Sequence, residues 1–204
     1  MKHDCLLIVF AKAPVPGYAK TRLAKTLGDE GAARVASRML DHPLQSALAA
    51  TVGPIQLCCA PDSAHPQFML AQQEHGISLF HQGDGDLGER MERAISRGLA
   101  SHRAVVLIGT DAPGLDGATL RRAAMVLRTN DAVAVPASDG GYVLIGLSRP
   151  APGLFSGVAW STAQVMAQTR MRAAALGLSL CELPTLHDVD EPEDLVHVPS
   201  GWLS

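Results

Sequence analysis

The sequence predicts an α/β layered fold on a mostly parallel sheet. Three observations carry this expectation. Short strand-like runs alternate with longer segments of helical period. The first run, 5–10 (CLLIVF), is continuously apolar, as in a strand buried on both faces. No internal repeat and no Pro-, Gly- or Ser-rich linker divides the chain, so residues 1–204 read as one domain.

The further strand candidates are 55–59 (IQLCC), 77–80 (ISLF), 104–108 (AVVLI), 132–135 (AVAV), 142–147 (YVLIGL) and 179–183 (SLCEL). Helices fall between them. From 29 to about 49, Ala32, Val35, Met39, Leu40, Leu44 and Ala47 lie along one stripe, and Pro43 is expected to kink or end its first part. Over 87–99, Leu87, Met91, Ile95 and Leu99 share a face, with Asp86 and Glu89 spaced as a capping box. Segments 120–127 and 163–176 give two more helices. The irregular stretch 148–161 is expected to leave the sheet and return as a flap over the site.

Composition excludes several classes. The 17 basic and 20 acidic residues give a net charge of −3, against the basic excess of proteins that live on nucleic acid. The same balance disfavours a polybasic membrane anchor, and no apolar run approaches the roughly 18–20 residues that span a bilayer. The opening Met-Lys-His-Asp-Cys runs straight into a strand, so a cytoplasmic protein is expected. Cys5, Cys58, Cys59 and Cys181 lack metal-ligand spacing and read as reduced thiols in or near the core.

Ligands of open parallel sheets bind beyond the carboxyl ends of the strands. After the first strand comes a loop stiffened by Pro14 and Pro16, with Gly17 permitting a turn, and carrying Lys12, Lys20 and Arg22. Cations there suit phosphate; a solvated basic loop is the alternative. The spacing is neither a Walker loop nor GxGxxG. After 104–108, Asp111 is placed either to hold Mg2+ or Mn2+ or simply to make a turn with Pro113. In Ser138-Asp139-Gly140-Gly141-Tyr142, the glycines allow a ligand close to the backbone and Asp139 can meet hydroxyls; a hairpin turn explains the segment as well. In 187–194 (HDVDEPED), Asp188 or Asp190 can complete a metal site with Asp111, while Asp190, Pro192 and Glu193 also read as a capped helix start. Gly85, Gly88 and Arg90 lie in a segment that either reads a nucleotide through backbone N–H groups or starts a helix. Trp160 either stacks on a ligand or packs.

Taken together, FAKAPVPGYAKTRL, GDLGERM, GTDAPGL, PASDGGYVLIGL, a later Trp-Ser-Thr and DVDEPEDL resemble a bacterial family of GT-A-like transferases. Some members sit in arsenosugar-biosynthesis or radical-SAM/selenium-domain gene neighbourhoods. The resemblance runs from Leu6 to Leu195. It implies the three-layer α/β/α, Rossmann-like GT-A fold of the nucleotide-diphospho-sugar transferases, with a mostly parallel mixed sheet. It implies that Lys20, Thr21 and Arg22 meet the phosphates, that Asp111 matches the metal-binding aspartate, and that Gly85, Gly88 and Arg90 belong to the base-pocket stretch. The implied partners are a nucleotide-sugar or nucleoside triphosphate donor and a small-molecule acceptor, with Mg2+ or Mn2+. Oligomeric state, a homodimer included, stays open. One departure bears on the reaction. A typical GT-A enzyme shows Asp-x-Asp, whereas Asp111 is followed by Ala112 and Pro113, an arrangement closer to nucleotidyltransferases. Glycosyl transfer is the first expectation and nucleotidyl transfer the second; a nucleotide-binding module without catalysis is the third.

Overall fold

The computed structural model describes residues 3–203. A sheet of 7 strands has the order β3-β2-β1-β4-β6-β5-β7. In chain order these are β1 (His3–Lys12), β2 (Ile55–Ala60), β3 (Ser78–His81), β4 (His102–Ile108), β5 (Ala132–Pro136), β6 (Tyr142–Leu147) and β7 (Leu180–Glu182). Strand β6 runs antiparallel to both β4 and β5, and the other pairings are parallel. The sheet is therefore mixed and mostly parallel.

The pleat of β1 explains how two layers of helices attach. Leu7 and Val9 join one apolar cluster, with Leu40, Leu44 and Ala47 of α1 (Ala24–Ala50), Phe68 of α2 (Pro66–His75), and Leu120 and Ala123 of α4 (Gly117–Val126). Leu6 and Ile8 point to the opposite face. There they join Met91, Ile95 and Leu99 of α3 (Leu87–Ser101) and Met166 and Ala173 of α5 (Val165–Ala175). Helices cover both faces of the sheet, giving the three-layer architecture.

The helix starts follow their local chemistry. Asp86 accepts from the Glu89 N–H at 2.9 Å and Glu89 accepts from the Asp86 N–H at 2.9 Å, a reciprocal cap for α3. Helix α1 departs from expectation. It runs on through the buried Pro43, and its one non-helical residue is Gly28 (φ 70°, ψ 167°). Leu40, Leu44 and Ala47 on the two sides of the proline are all buried against the sheet, and this packing outweighs the lost helical hydrogen bond. Helix α2 is absent from the sequence reading because only Phe68 and Ala71 along it are buried, too few to make a periodic stripe.

Cys5, Cys58 and Cys59 are buried, as expected, and Cys181 is half-buried. Stretch 148–161 does leave the sheet, and Ala151, Leu154 and Phe155 anchor it in the α3–α5 layer. Among the described residues no helix is long and apolar enough to cross a membrane.

Candidate active site

Strand order reverses direction at β1, with β2 on one side and β4 on the other. Crevices form at such switch points, because the loops after adjacent strands diverge there. A cleft of about 570 Å3 lies at this edge. Its lining draws on segments well separated in sequence, among them those carrying Lys20, Asp111, Asp139, Trp160 and Asp190.

Lys20 is at the centre. Its ammonium lies 2.5 Å from Asp111 Oδ1 and 2.6 Å from Asp190 Oδ1, and donates to the Val189 carbonyl at 2.7 Å. Its side chain is only 10% exposed, against 46% and 45% for the two aspartates. Burial pulls the lysine pKa down, but the charges of Asp111 and Asp190 outweigh it and hold the pKa above 10.5, so the group stays a cation. The backbone at Lys20 has φ +49°, in the left-handed region. Ser161, which also lines the cleft, has φ +62°. Two non-glycine residues so placed beside one cleft show that packing holds local conformations the chain would otherwise avoid.

The acidic segment near the carboxyl end is stapled to β4's loop by the Val189 N–H, which donates to the Asp111 carbonyl at 2.8 Å. The fully buried Val189 packs with Leu23, Val35 and Met39. The expected cap by Asp190 with Glu193 is replaced. Asp194 reaches back to accept from the N–H groups of Asp190 and Glu191 at 2.9 and 2.8 Å, opening the turn Pro192–His197. The Asp190 carboxylate is thereby left for Lys20. Asp188 accepts from Ser138 Oγ at 3.2 Å. Burial, and then the nearby Asp139 charge, push the Asp188 pKa above its ordinary value.

Asp139 occupies the β5–β6 turn, where its Oδ1 accepts from the Gly141 N–H at 2.7 Å. The hairpin reading of this segment holds, and Asp139, Gly141 and Tyr142 face the cleft from it. A Cβ on Gly140 would run into the backbone of Ala163, so that glycine admits the neighbouring chain rather than a ligand. Tyr142 and Trp160 meet edge to face, centroids 6.4 Å apart, and form an apolar wall. The Tyr142 hydroxyl turns toward Met91, and burial raises its pKa.

Lys12, Thr21 and Arg22 also line the cleft. Arg22 pairs with Glu191 at 2.9 Å, both exposed, so this contact holds loosely at the rim. Gly17, Gly85, Gly88, Arg90 and Gly140 are not among the lining residues. Arg90 donates from Nε to the Gly85 carbonyl at 2.9 Å, bracing the loop before α3. Gly88 is a packing position, where a Cβ would come 2.5 Å from the Phe155 carbonyl and 2.8 Å from the Trp160 indole. Gln82 and the exposed Tyr18 line the cleft without having been read from the sequence. Gln82 is buried, and its Nε2 donates to the Ala11 and Cys58 carbonyls at 3.2 and 3.0 Å. Its only sequence signal is its position just past a strand's carboxyl end.

The donor chemistry fits a hard divalent cation in part. Asp111, Asp190 and the Val189 carbonyl present oxygens to one point, and the second oxygen of each carboxylate has no protein partner among the described residues. That point carries the Lys20 ammonium. Among the described residues no group of three His, Cys, Asp or Glu side chains stands ready as a metal cluster.

Comparison with known proteins follows the same lines. A protein of Desulfovibrio desulfuricans G20, assigned by name to the nucleotide-diphospho-sugar transferases, superposes with a TM-score of 0.86 at 31% identity, covering 96% of this chain and 85% of that one. A nucleotidyl transferase from Methanothermobacter matches with a TM-score of 0.65 at 13% identity, covering 98% and 97%. A Mycobacterium tuberculosis H37Rv protein in complex with manganese gives 0.57 at 19%, covering 96% and 97%. The last two likenesses are of fold. No curated protein matches the sequence. The mixed sheet, its cover of helices and these neighbours establish the GT-A type of nucleotide-diphospho-sugar transferase fold. Residues 43–162 match the family profile entitled "Uncharacterized protein conserved in bacteria (DUF2064)", and the chain belongs to that family.

Proposed function

We propose that the chain is a metal-dependent glycosyltransferase that moves a sugar from a nucleotide-diphosphate donor to a small-molecule acceptor. The carrying observation is the Lys20 ammonium held between Asp111 and Asp190 in a cleft beyond β1 and β4. A buried cation with carboxylates on one side suits a diphosphate, whose charge Lys20 and, at the rim, Arg22 balance. Lys12 and Thr21 extend the same phosphate-facing wall. Asp111 and Asp190, with Asp188 beside them, would hold Mg2+ or Mn2+. Such a cation neutralises the diphosphate and the charge that grows on the leaving group. Tyr142 and Trp160 offer an apolar wall to the donor. Asp139 orients the acceptor hydroxyl or takes its proton.

The 31% likeness to the Desulfovibrio protein supports a sugar nucleotide as donor. Membership in the arsenosugar or radical-SAM-associated branch, and with it a cytoplasmic site of action, belongs to the same proposal and rests on motif resemblance. A second reading is nucleotidyl transfer, favoured by the single strand-end Asp111 in place of Asp-x-Asp. The two differ in the bond broken. Glycosyl transfer breaks the sugar C1–O bond and releases a nucleoside diphosphate. Nucleotidyl transfer breaks the Pα–O bond of a triphosphate and releases pyrophosphate. The test incubates the protein and Mn2+ with panels of nucleotide sugars, nucleoside triphosphates and acceptors. Nucleoside diphosphate release from a sugar donor is expected. Pyrophosphate from a triphosphate, with nothing from any sugar donor, reverses the order. Binding without turnover in every mixture leaves a nucleotide-binding module.

A further inference from the structure

We propose that Lys20 is a tethered occupant of the cation site, so that a divalent ion enters only when the lysine leaves its two carboxylates. The proposal rests on the transferase reading above and adds a coupling to it: the ion competes with the ammonium for the carboxylates, and donor phosphates that draw the ammonium away favour its entry.

Three observations carry it. The contacts at 2.5, 2.6 and 2.7 Å leave no room for a second cation among the same three oxygens. The ammonium is nearly buried, while each aspartate remains about half exposed and keeps its second oxygen without a protein partner among the described residues. The carboxylates can thus take a new cation without themselves moving out of the core. Finally, Lys20 sits at φ +49° in the loop between β1 and α1, whose two ends are anchored by the buried Ala13 and Leu23. A left-handed lysine backbone is disfavoured on its own, and the ion pairs together with the surrounding packing offset that cost. A positive phosphate-binding residue is thereby parked on the carboxylates until a phosphate competes for it.

The measurement is Mn2+ binding to the nucleotide-free protein, read by the loss of free-ion electron paramagnetic resonance signal. Lys20→Met should bind Mn2+ about tenfold or more tightly than wild type, as expected when the competent state is a minority in wild type. Arg22→Met removes the same charge from the same cleft and should leave Mn2+ affinity within about twofold of wild type. Equal binding by wild type and Lys20→Met overturns the proposal, as does binding by neither. An equal gain in Arg22→Met also overturns it, since charge rather than occupancy would then be the cause. Should Lys20→Met lose the wild-type melting transition, the wild-type chain decides by mass-spectrometric labelling with an amine-reactive acylating reagent. Millimolar Mn2+ should raise labelling of Lys20 relative to Lys12, and an unchanged ratio overturns the proposal. Transfer is assayed separately, so an absent lock with intact transfer removes this inference and leaves the proposed function standing.

Discussion

Two polar clusters stitch distant segments together at opposite ends of the sheet, and they are built differently. At the amino end of β5, Asp131 uses both carboxylate oxygens. Oδ1 accepts from Arg149 Nε at 2.6 Å, and Oδ2 accepts from the N–H and hydroxyl of Ser179, each at 2.9 Å. At the carboxyl edge, Asp111 and Asp190 share one buried cation through one oxygen each, on a loop with strained backbone. The first cluster is saturated and exposed, and its hydrogen bonds close the β5–β7 end of the sheet. The second has unspent acceptors and a cation that solvent barely reaches. Similar residue types thus serve cohesion where every atom is partnered, and where some are left over they keep acceptors open for the cation of the proposed function.

The largest effect should come from Asp111→Asn. Turnover should fall about a hundredfold or more, as for loss of a charge-stabilising group, with the melting transition retained. Product release measured beside circular dichroism checks both, and undiminished turnover would erase the functional half of the contrast. Gly88→Ala comes next. Its methyl meets the Phe155 carbonyl and the Trp160 ring, so it should cost about 1–3 kcal/mol in denaturant unfolding and weaken donor binding by displacing the wall. A stable variant with unchanged donor affinity would detach Trp160 from the site. Asp131→Asn should be the smallest and should leave turnover unchanged. Its hydrogen bonds from Arg149 and Ser179 lower the Asp131 pKa to about 2 from an ordinary 3.8. A depressed carboxylate contributes stability above its unfolded pKa and loses it as pH falls through the folded one. The wild-type chain should therefore lose stability between about pH 4 and pH 2 more steeply than Asp131→Asn. Urea unfolding across that range checks the slope, and a fall in turnover would break the assignment of this end to cohesion.

Legibility in the sequence followed the reach of each interaction. Strand β6, read as 142–147, matches Tyr142–Leu147, and the Asp86–Glu89 cap stands where its spacing put it. The cap depends on neighbours within a few residues, and the strand announces itself by its continuous apolar run. Helix α2 and the continuation of α1 through Pro43 were not legible, because their stability comes from the sheet beneath them. Within the site, Asp111, Asp139, Asp188 and Asp190 were visible as carboxylates just past strands or in an acidic run. The packing role of Gly88 and the bracing role of Arg90 were not, since Phe155 and Trp160 approach from another layer and Gly85 is reached through a folded loop.

The amino-acid order alone determined the alternation of strands and helices, the doubly buried first strand, and which loops carry cations and carboxylates. These are consequences of local period and of residue chemistry. Tertiary structure decided that Lys20 is held by Asp111 and Asp190, that Asp194 rather than Asp190 makes the cap, and that Asp188 turns to Ser138. Lys20 and Asp190 stand 170 residues apart, and it is the packing of Val189 against Leu23, Val35 and Met39, with its hydrogen bond to Asp111, that lets opposite charges so far apart in sequence share a single point.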